Sequence, residues 1–111
     1  MKSSFLSGLF GEGQAARYLK KQGMRILDRR YRTAHGEIDL IARDGDTLVF
    51  VEVKNRPRGT IGEGAAAVNR DKKRHLRYAA KAYLSENPCE RVRFDVVEIT
   101  AAGIRHIPGA L

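Results

Sequence analysis

The sequence is organised around residues 35–56, HGEIDLIARDGDTLVFVEVKNR. Two runs of alternating residues, 37–43 and 47–55, predict antiparallel strands, and Asp44-Gly45 between them favours the positive φ of a tight turn. With those two residues as the loop, one face of the hairpin is wholly apolar, and the other is apolar near the turn and charged at its far end. The apolar face carries Ile38, Leu40, Ala42, Val49, Val51 and Val53. The mixed face carries Glu37, Asp39, Ile41, Leu48, Phe50, Glu52 and Lys54.

The charged end of this hairpin predicts a metal site. In that register Asp39 lies diagonally across from Glu52, about 7–8 Å away and within reach of one shared ion. Carboxylates on a half-buried sheet repel each other unless a positive charge lies between them, and Lys54 follows Glu52 on the same face. Hard oxygen ligands favour Mg²⁺ or Mn²⁺ over zinc. The alternative interpretation is an ordinary alternating edge strand whose charges are solvated.

The composition indicates one basic domain. The 111 residues, 42% of them hydrophobic, suit a single compact domain over 1–111. Lys and Arg exceed Asp and Glu by 21 to 13, a net charge of +8. This charge favours a polyanionic partner, nucleic acid first and an acidic membrane surface second. No apolar run suits a membrane span, and with Cys89 alone we expect no disulfide and a cytoplasmic location.

The other segments predict an α/β fold. Residues 4–22 form a helix with Glu12 on its apolar stripe, where a carboxylate must bind metal or pair with Arg17 or a neighbouring lysine. An edge strand at 24–32 precedes the hairpin. After the hairpin come a glycine-rich loop at 57–67, a helix at 70–85, a strand at 91–100 and a short last strand at 104–107. The helix between the third and fourth strands predicts a right-handed crossover that joins a parallel pair. The expected architecture is a mixed five-stranded sheet flanked by helices.

The helix over residues 70–85 carries a basic cluster in its first half. Its members are Arg70, Lys72, Lys73, Arg74 and Arg77. Cations at a helix N-terminus oppose the macrodipole, so the cluster favours a phosphate partner. With Arg56 and Arg58 it predicts a surface that binds backbone phosphates without reading sequence. A solvated basic face is the alternative. With four Tyr, four Phe and no Trp, a large base-stacking platform is not expected.

Four blocks of the sequence resemble the YraN-like family of small bacterial proteins. They are GEGQAARYL (11–19), GEIDLIARDGDTLVFVEVKNR (36–56), AAAVNRDKKRHLRYAAKAYL (65–84) and RFDVVEI (93–99). Asp39 and the Glu52-x-Lys54 element, with a helix glutamate before them, also resemble the PD-(D/E)xK nuclease superfamily. Ile38 stands where the short motif of that superfamily has proline. The resemblance covers nearly the whole chain and implies a restriction-endonuclease-like three-layer fold, similar to archaeal Holliday junction resolvases.

The resemblance also implies roles for individual residues. Asp39, Glu52 and Glu12 would bind Mg²⁺ or Mn²⁺, Lys54 would orient the attacking water or stabilise developing charge, and Glu37 would support the site. The implied activity is metal-dependent hydrolysis of phosphodiester bonds in DNA. Because nothing in the sequence resembles a base-reading module, we expect structure-selective cutting of junctions or branched DNA, in repair or recombination, or nonspecific cutting, and not recognition of a defined sequence.

The implied partners are DNA, a second copy of the chain, and a helicase or recombination protein. One alternative function is a nuclease-fold module that binds nucleic acid without catalysis and acts with a larger partner. Another is a basic protein of the membrane surface or the ribosome. That third possibility explains the charge but not the placement of Asp39, Glu52 and Lys54 on one face.

Overall fold

The computed structural model describes the backbone of residues 2–56 and 70–111 and the side chains of 11–56 and 70–111. In chain order the elements are α1 (Lys2–Lys21), β1 (Arg25–Thr33), β2 (Gly36–Asp44), β3 (Thr47–Arg56), α2 (Arg70–Glu86), β4 (Val92–Thr100) and β5 (Gly103–Ile107). Neither helix combines the length and apolarity of a membrane span in this part of the chain. The predicted loop 57–67 and Arg58 lie outside the described residues.

The strands form one mixed sheet in the order β1-β2-β3-β4-β5. β3 and β4 pair in parallel, and the other neighbours are antiparallel. The parallel pair requires a crossover, and α2 lies within it, as the sequence predicts. The α/β class and the five-stranded mixed sheet are therefore confirmed, with β3 in the centre and β1 at an edge.

Each face of the sheet is covered by one helix, which gives three layers. The core under α1 consists of Ala15, Ala16, Leu19, Met24, Leu40, Ala42, Val49, Val51, Val97 and Ile99. The core under α2 consists of Ile38, Ile41, Leu48, Phe50, Leu76, Ala79 and Ala80. Fully buried side chains such as Phe50 and Leu19 each stabilise the fold by about 1.5–3 kcal/mol. Because both faces are buried, β3 is apolar on both sides until Glu52.

The hairpin turn lies one residue later than the sequence predicts. Asp44 pairs with Thr47, so the two-residue loop is Gly45-Asp46 rather than Asp44-Gly45. Gly45 has φ +63°, which suits glycine at the first loop position of a type II′ turn. Phe50 consequently faces Ile41 and not Asp39. The register moves by two positions, so the division of the β3 side chains between the two faces is unchanged.

The alternation of β2 breaks at Asp39, which makes the predicted position of Ile38 wrong. Ile38 packs in the core under α2, whereas Leu40 packs under α1. On the neighbouring strand the register shifts between Ile26 and Asp28, and Arg30 adopts the left-handed φ of 54°. Such irregularities bend a strand and redirect side chains. The irregular part of β2 thus carries Asp39, one of the predicted metal ligands.

The turn between β1 and β2 packs directly on α2. A Cβ added to Gly36 would lie 2.1 Å from the backbone oxygen of His75, a distance that no side chain can occupy. His35 meets the ring of Tyr78 edge to face, with centroids 5.1 Å apart. Glycine at position 36 thus allows the close approach that fixes α2 against the hairpin.

Candidate active site

Asp39 of β2 and Glu52 of β3 form the centre of the site, and Glu12 of α1 lies close enough to act on Asp39 through its charge. Glu12 of α1 and Glu52 of β3 are buried, with 6% and 3% of their surface exposed. Asp39 of β2 lies one step beyond the Leu40–Val51 pair, next to Glu52. Burial and then the charge of Glu52 raise the pKa of Asp39 to about 7, with a smaller contribution from Glu12. The structure therefore brings Asp39 and Glu52 together, as the sequence predicted.

The Asp39 carboxylate also holds the hairpin together. Its Oδ2 accepts a hydrogen bond of 2.7 Å from the backbone N–H of Val53. This bond joins β2 to β3 just beyond the Leu40–Val51 pair. The Asp39 side chain is consequently fixed in orientation beside Glu52.

Two lysines neutralise Glu52. Lys54 Nζ lies 3.4 Å and Lys72 Nζ 3.3 Å from Glu52 Oε2. Burial lowers the pKa of Lys72, but the charges of Glu52 and Asp39 outweigh it, so the pKa is raised. Lys72, which the sequence assigned to the phosphate-binding cluster, therefore belongs to the acidic site. Its position depends on how α2 lies over the sheet, which no local pattern encodes.

Glu12 pairs with Arg30 of β1 and not with Arg17 or a lysine of its own helix. Arg30 Nε donates to Glu12 Oε1 at 2.9 Å, and Arg17 is exposed. The left-handed backbone of Arg30 turns its side chain across to α1. The sequence could identify Glu12 as a carboxylate in need of a partner, but it could not identify the partner.

Glu37 lies at the rim of the site. It pairs with Arg32 at 3.2 Å, and both side chains are more than half exposed. Together with Lys72 they line a depression of about 350 Å³ between the β1–β2 turn and α2. An exposed pair of this kind contributes little to stability. Glu37 therefore shapes the approach to Lys72 and Glu52.

A divalent cation suits the donor chemistry of this site. Asp39 and Glu52 offer hard oxygen donors, and their mutual repulsion is what a bound cation would relieve. Within residues 11–56 and 70–111, no group of three His, Cys, Asp or Glu side chains is arranged to hold a metal ion. Asp39 and Glu52 are accordingly the residues that would hold it, with Glu12 next to them but paired to Arg30.

The outer face of α2 is strongly basic. Side chains three or four positions apart line a groove of about 580 Å³: Arg70, Lys73, Arg74, Arg77, Tyr78 and Lys81. Lys81 and Tyr78 extend the predicted cluster. Arg56 follows Lys54 on the same face of β3, and its Nε is buried with no hydrogen-bond partner among the residues that the structure describes.

A second polar cluster was not predicted from the sequence. Asp95 is fully buried and accepts hydrogen bonds from Arg93 at 2.9 Å and Gly109 N–H at 3.0 Å, with His106 Nε2 at 2.7 Å. Burial would raise the pKa of Asp95, but His106, Arg93 and Gly109 outweigh it and lower the pKa. The cluster fastens β5 and the segment after it to β4.

Glu98 is another buried carboxylate near the site. It neighbours Lys54 in the parallel register and Arg105 in the antiparallel one. Its side chain is fully buried, and a buried carboxylate requires a hydrogen-bonding or positively charged partner. The signal in the sequence is a single glutamate inside the apolar run VVEIT.

Comparison with known proteins places the chain in a family. Residues 11–99 match the Uncharacterised protein family UPF0102. The chain belongs to this family. This membership agrees with the resemblance to the YraN-like family, and the matched segment contains Glu12, Asp39, Glu52 and Lys54.

Several bacterial UPF0102 proteins are similar over most of their length. The protein of Rhodococcus opacus (strain B4) is 48% identical over 101 residues, which cover 89% of this chain and 86% of the relative. That of Syntrophotalea carbinolica is 44% identical, covering 93% and 89%. That of Beutenbergia cavernae is 40% identical and covers 98% of both chains. These relatives therefore match the chain along most of its length.

Proposed function

We propose that this protein is a metal-dependent endonuclease that hydrolyses phosphodiester bonds in DNA. The proposal rests on one observation: two carboxylates and two lysines lie together at the end of the hairpin opposite the turn. They are Asp39, Glu52, Lys54 and Lys72. Strongly shifted pKa values cluster at functional sites, and the pKa of Asp39 reaches about 7. Crowded carboxylates repel each other, and a bound cation between them would relieve that repulsion.

The residues of the site suit phosphodiester hydrolysis. A divalent cation held by Asp39 and Glu52 would supply Lewis-acid charge at the scissile phosphate. The Val53 N–H already holds the Asp39 carboxylate beside Glu52. Lys54, 3.4 Å from Glu52, orients the attacking water or adds positive charge where the phosphate becomes more negative. Lys72 adds a second positive charge beside the same carboxylate.

The basic face of α2 suits the substrate. Its arginines and lysines bind phosphates through charge, which carries no sequence information and weakens with salt. Arg56, whose buried Nε lacks an acceptor among the described residues, would contact a phosphate near Lys54. The proposed substrate is therefore recognised by shape, as branched or junction DNA in repair or recombination. Cutting both strands of a junction requires two sites, which a homodimer or a helicase or recombination partner would provide.

A cleavage assay tests the proposal. Labelled four-way junction, flap, duplex and single-stranded DNA are incubated with purified protein in Mg²⁺, Mn²⁺ or EDTA. Asp39→Ala and Lys54→Ala should abolish metal-dependent cutting. Asp46→Ala is the matched control, because the Asp46 side chain is 75% exposed in the hairpin loop. Cutting that survives in the first two variants, or none by the wild type on any substrate, would overturn the proposal.

The second candidate is a nucleic-acid-binding module without catalysis. It is favoured by the partners that the carboxylates already have: Arg30 for Glu12, and two lysines for Glu52. Such a protein binds DNA equally in Mg²⁺ and EDTA and cuts none. For the enzyme, Glu52→Ala should remove cleavage and leave binding intact.

A further inference from the structure

The basic face of α2 contains one exposed aromatic ring. Tyr78 keeps 47% of its surface exposed, and within the described part of the chain it is the large hydrophobic side chain left in that state. Arg74 and Lys81 lie four positions before it and three after it, on the same side of the helix, and Arg77 directly precedes it; all three line the same groove. The groove follows α2 from Arg70 to Lys81, a length of about 17 Å. An apolar ring amid cations gains most from a ligand that is both flat and anionic.

The orientation of this ring is fixed by the β1–β2 turn. His35 meets Tyr78 with ring planes at 84° and centroids 5.1 Å apart. Such a T-shaped contact covers at most one face of the tyrosine. The turn itself is immobilised by the close approach of Gly36 to the His75 backbone. One face of the Tyr78 ring is thus presented to solvent in a set orientation.

A path leads from Tyr78 to the acidic site. His35, which contacts Tyr78, directly precedes Gly36, and Gly36 lines the 350 Å³ depression together with Lys72. Lys72 Nζ in turn lies 3.3 Å from Glu52 Oε2. A strand whose phosphates follow the basic groove could therefore continue past the turn to Glu52.

We propose that Tyr78 stacks on an unpaired base of a single-stranded nucleic-acid segment whose phosphates lie along the basic face of α2. Stacking on an aromatic ring within a positively charged groove is the usual way proteins hold single strands. A base inside a duplex is already stacked and cannot reach the ring. Arg74 already pairs with Asp71, so the phosphates fall mainly to Arg70, Lys73, Arg77 and Lys81. The inference rests on the proposed function for its substrate class, and adds that the substrate carries an unpaired nucleotide.

Binding without cleavage tests the inference. Fluorescence anisotropy in EDTA measures the affinity for a labelled oligothymidylate, for the same backbone with abasic sites, and for a duplex of equal length. Tyr78→Ala and Tyr78→Leu should weaken oligothymidylate binding by about 5- to 100-fold, the range expected for one stacked base. Tyr78→Phe keeps the ring and should bind like the wild type. The abasic strand should bind weakly to all of them and show no further loss in Tyr78→Ala.

Salt dependence separates stacking from charge. Replacing Arg77 or Lys81 with alanine should reduce the slope of log affinity against log salt by about 0.7, the value for one phosphate contact on a single strand. Tyr78→Ala should leave that slope unchanged. A Tyr78 variant that lowers the slope, or that loses affinity equally for the abasic strand, would overturn the stacking role.

The outcomes also separate this inference from the nuclease proposal. Base-dependent binding through Tyr78 without any metal-dependent cutting would refute the nuclease and keep the inference. Metal-dependent cutting by a protein whose binding is unchanged by Tyr78 substitutions would support the nuclease and refute the inference. Tighter binding to the duplex than to the single strand, or binding only to anionic phospholipid vesicles, would overturn the inference.

Discussion

Replacing Asp39 with asparagine should stabilise the protein at neutral pH, although it removes a proposed active-site group. Burial and the charge of Glu52 raise the pKa of Asp39 from 3.8 to about 7. Each pKa unit between the folded and unfolded states corresponds to about 1.4 kcal/mol, so the ionised group costs up to about 4 kcal/mol. Asparagine keeps an oxygen for the Val53 N–H, but its amide must also be desolvated. We therefore expect a gain of about 1–3 kcal/mol.

The pH dependence gives this prediction its sign. The pKa of Asp39 is higher in the folded state than in the unfolded state. Its contribution to the free energy of unfolding is therefore fully present below pH 3.8 and is lost as the pH rises to about 7. The unfolding free energy of the wild type should therefore fall across this window more steeply than that of Asp39→Asn. Urea denaturation followed by circular dichroism at pH 4, 5, 6, 7 and 8, in EDTA, measures both curves.

Asp95→Asn is the matched control, because Asp95 is a buried aspartate with the opposite pKa shift. Its hydrogen bonds to His106, Arg93 and Gly109 lower its pKa, so its ionised form stabilises the fold. Its replacement should cost about 2–4 kcal/mol at neutral pH. The reasoning from crowded carboxylates would be refuted if Asp39→Asn were less stable than the wild type at every pH. It would also be refuted if the unfolding free energies of Asp39→Asn and the wild type had the same slope against pH.

Two further pairs of variants test the packing around the site by urea denaturation. Gly36→Ala should lose about 2 kcal/mol or more, because its Cβ would lie 2.1 Å from the His75 oxygen. Gly13→Ala, within α1, should gain about 0.5–1 kcal/mol, because its Cβ would make only an ordinary 3.7 Å contact with the Arg29 side chain. Equal effects of the two would contradict the close approach. Arg30→Ala leaves Glu12 buried and unpaired and should cost about 3 kcal/mol. Adding Glu12→Gln should recover most of that loss, and simply additive losses would argue against the pair.

Alternating hydrophobicity predicted the layers of the fold better than its details. The hairpin, the central β3 and the parallel crossover all follow from patterns that extend over many residues. The turn prediction was wrong by one residue because the Asp-Gly dipeptide is compatible with glycine at either loop position. Ile38 was assigned to the wrong face because strict alternation was assumed through Asp39, where the strand is irregular.

The acidic residues of the site were predictable, and their partners were not. Asp39 and Glu52 stand out as charges within apolar strands, and Glu12 as a charge on an apolar helix stripe. Arg30 reaches Glu12 through a left-handed backbone conformation that no local pattern signals. Lys72 reaches Glu52 only because α2 crosses the sheet at that point, which depends on tertiary packing.

The parallel pairing of β3 with β4 sets the order in which the chain can fold. Partners in the first three strands are close in sequence, since Arg25 and Arg43 are 18 positions apart, whereas Val51 and its partner Asp95 are 44 apart. Closing the longer loop costs more entropy, so the N-terminal strands should assemble first, also during synthesis on the ribosome. The carboxylates of the hairpin then meet before Lys72 is in place. Lys54 accompanies Glu52 on β3 from the start, so the later packing of α2 adds the second lysine to the acidic site.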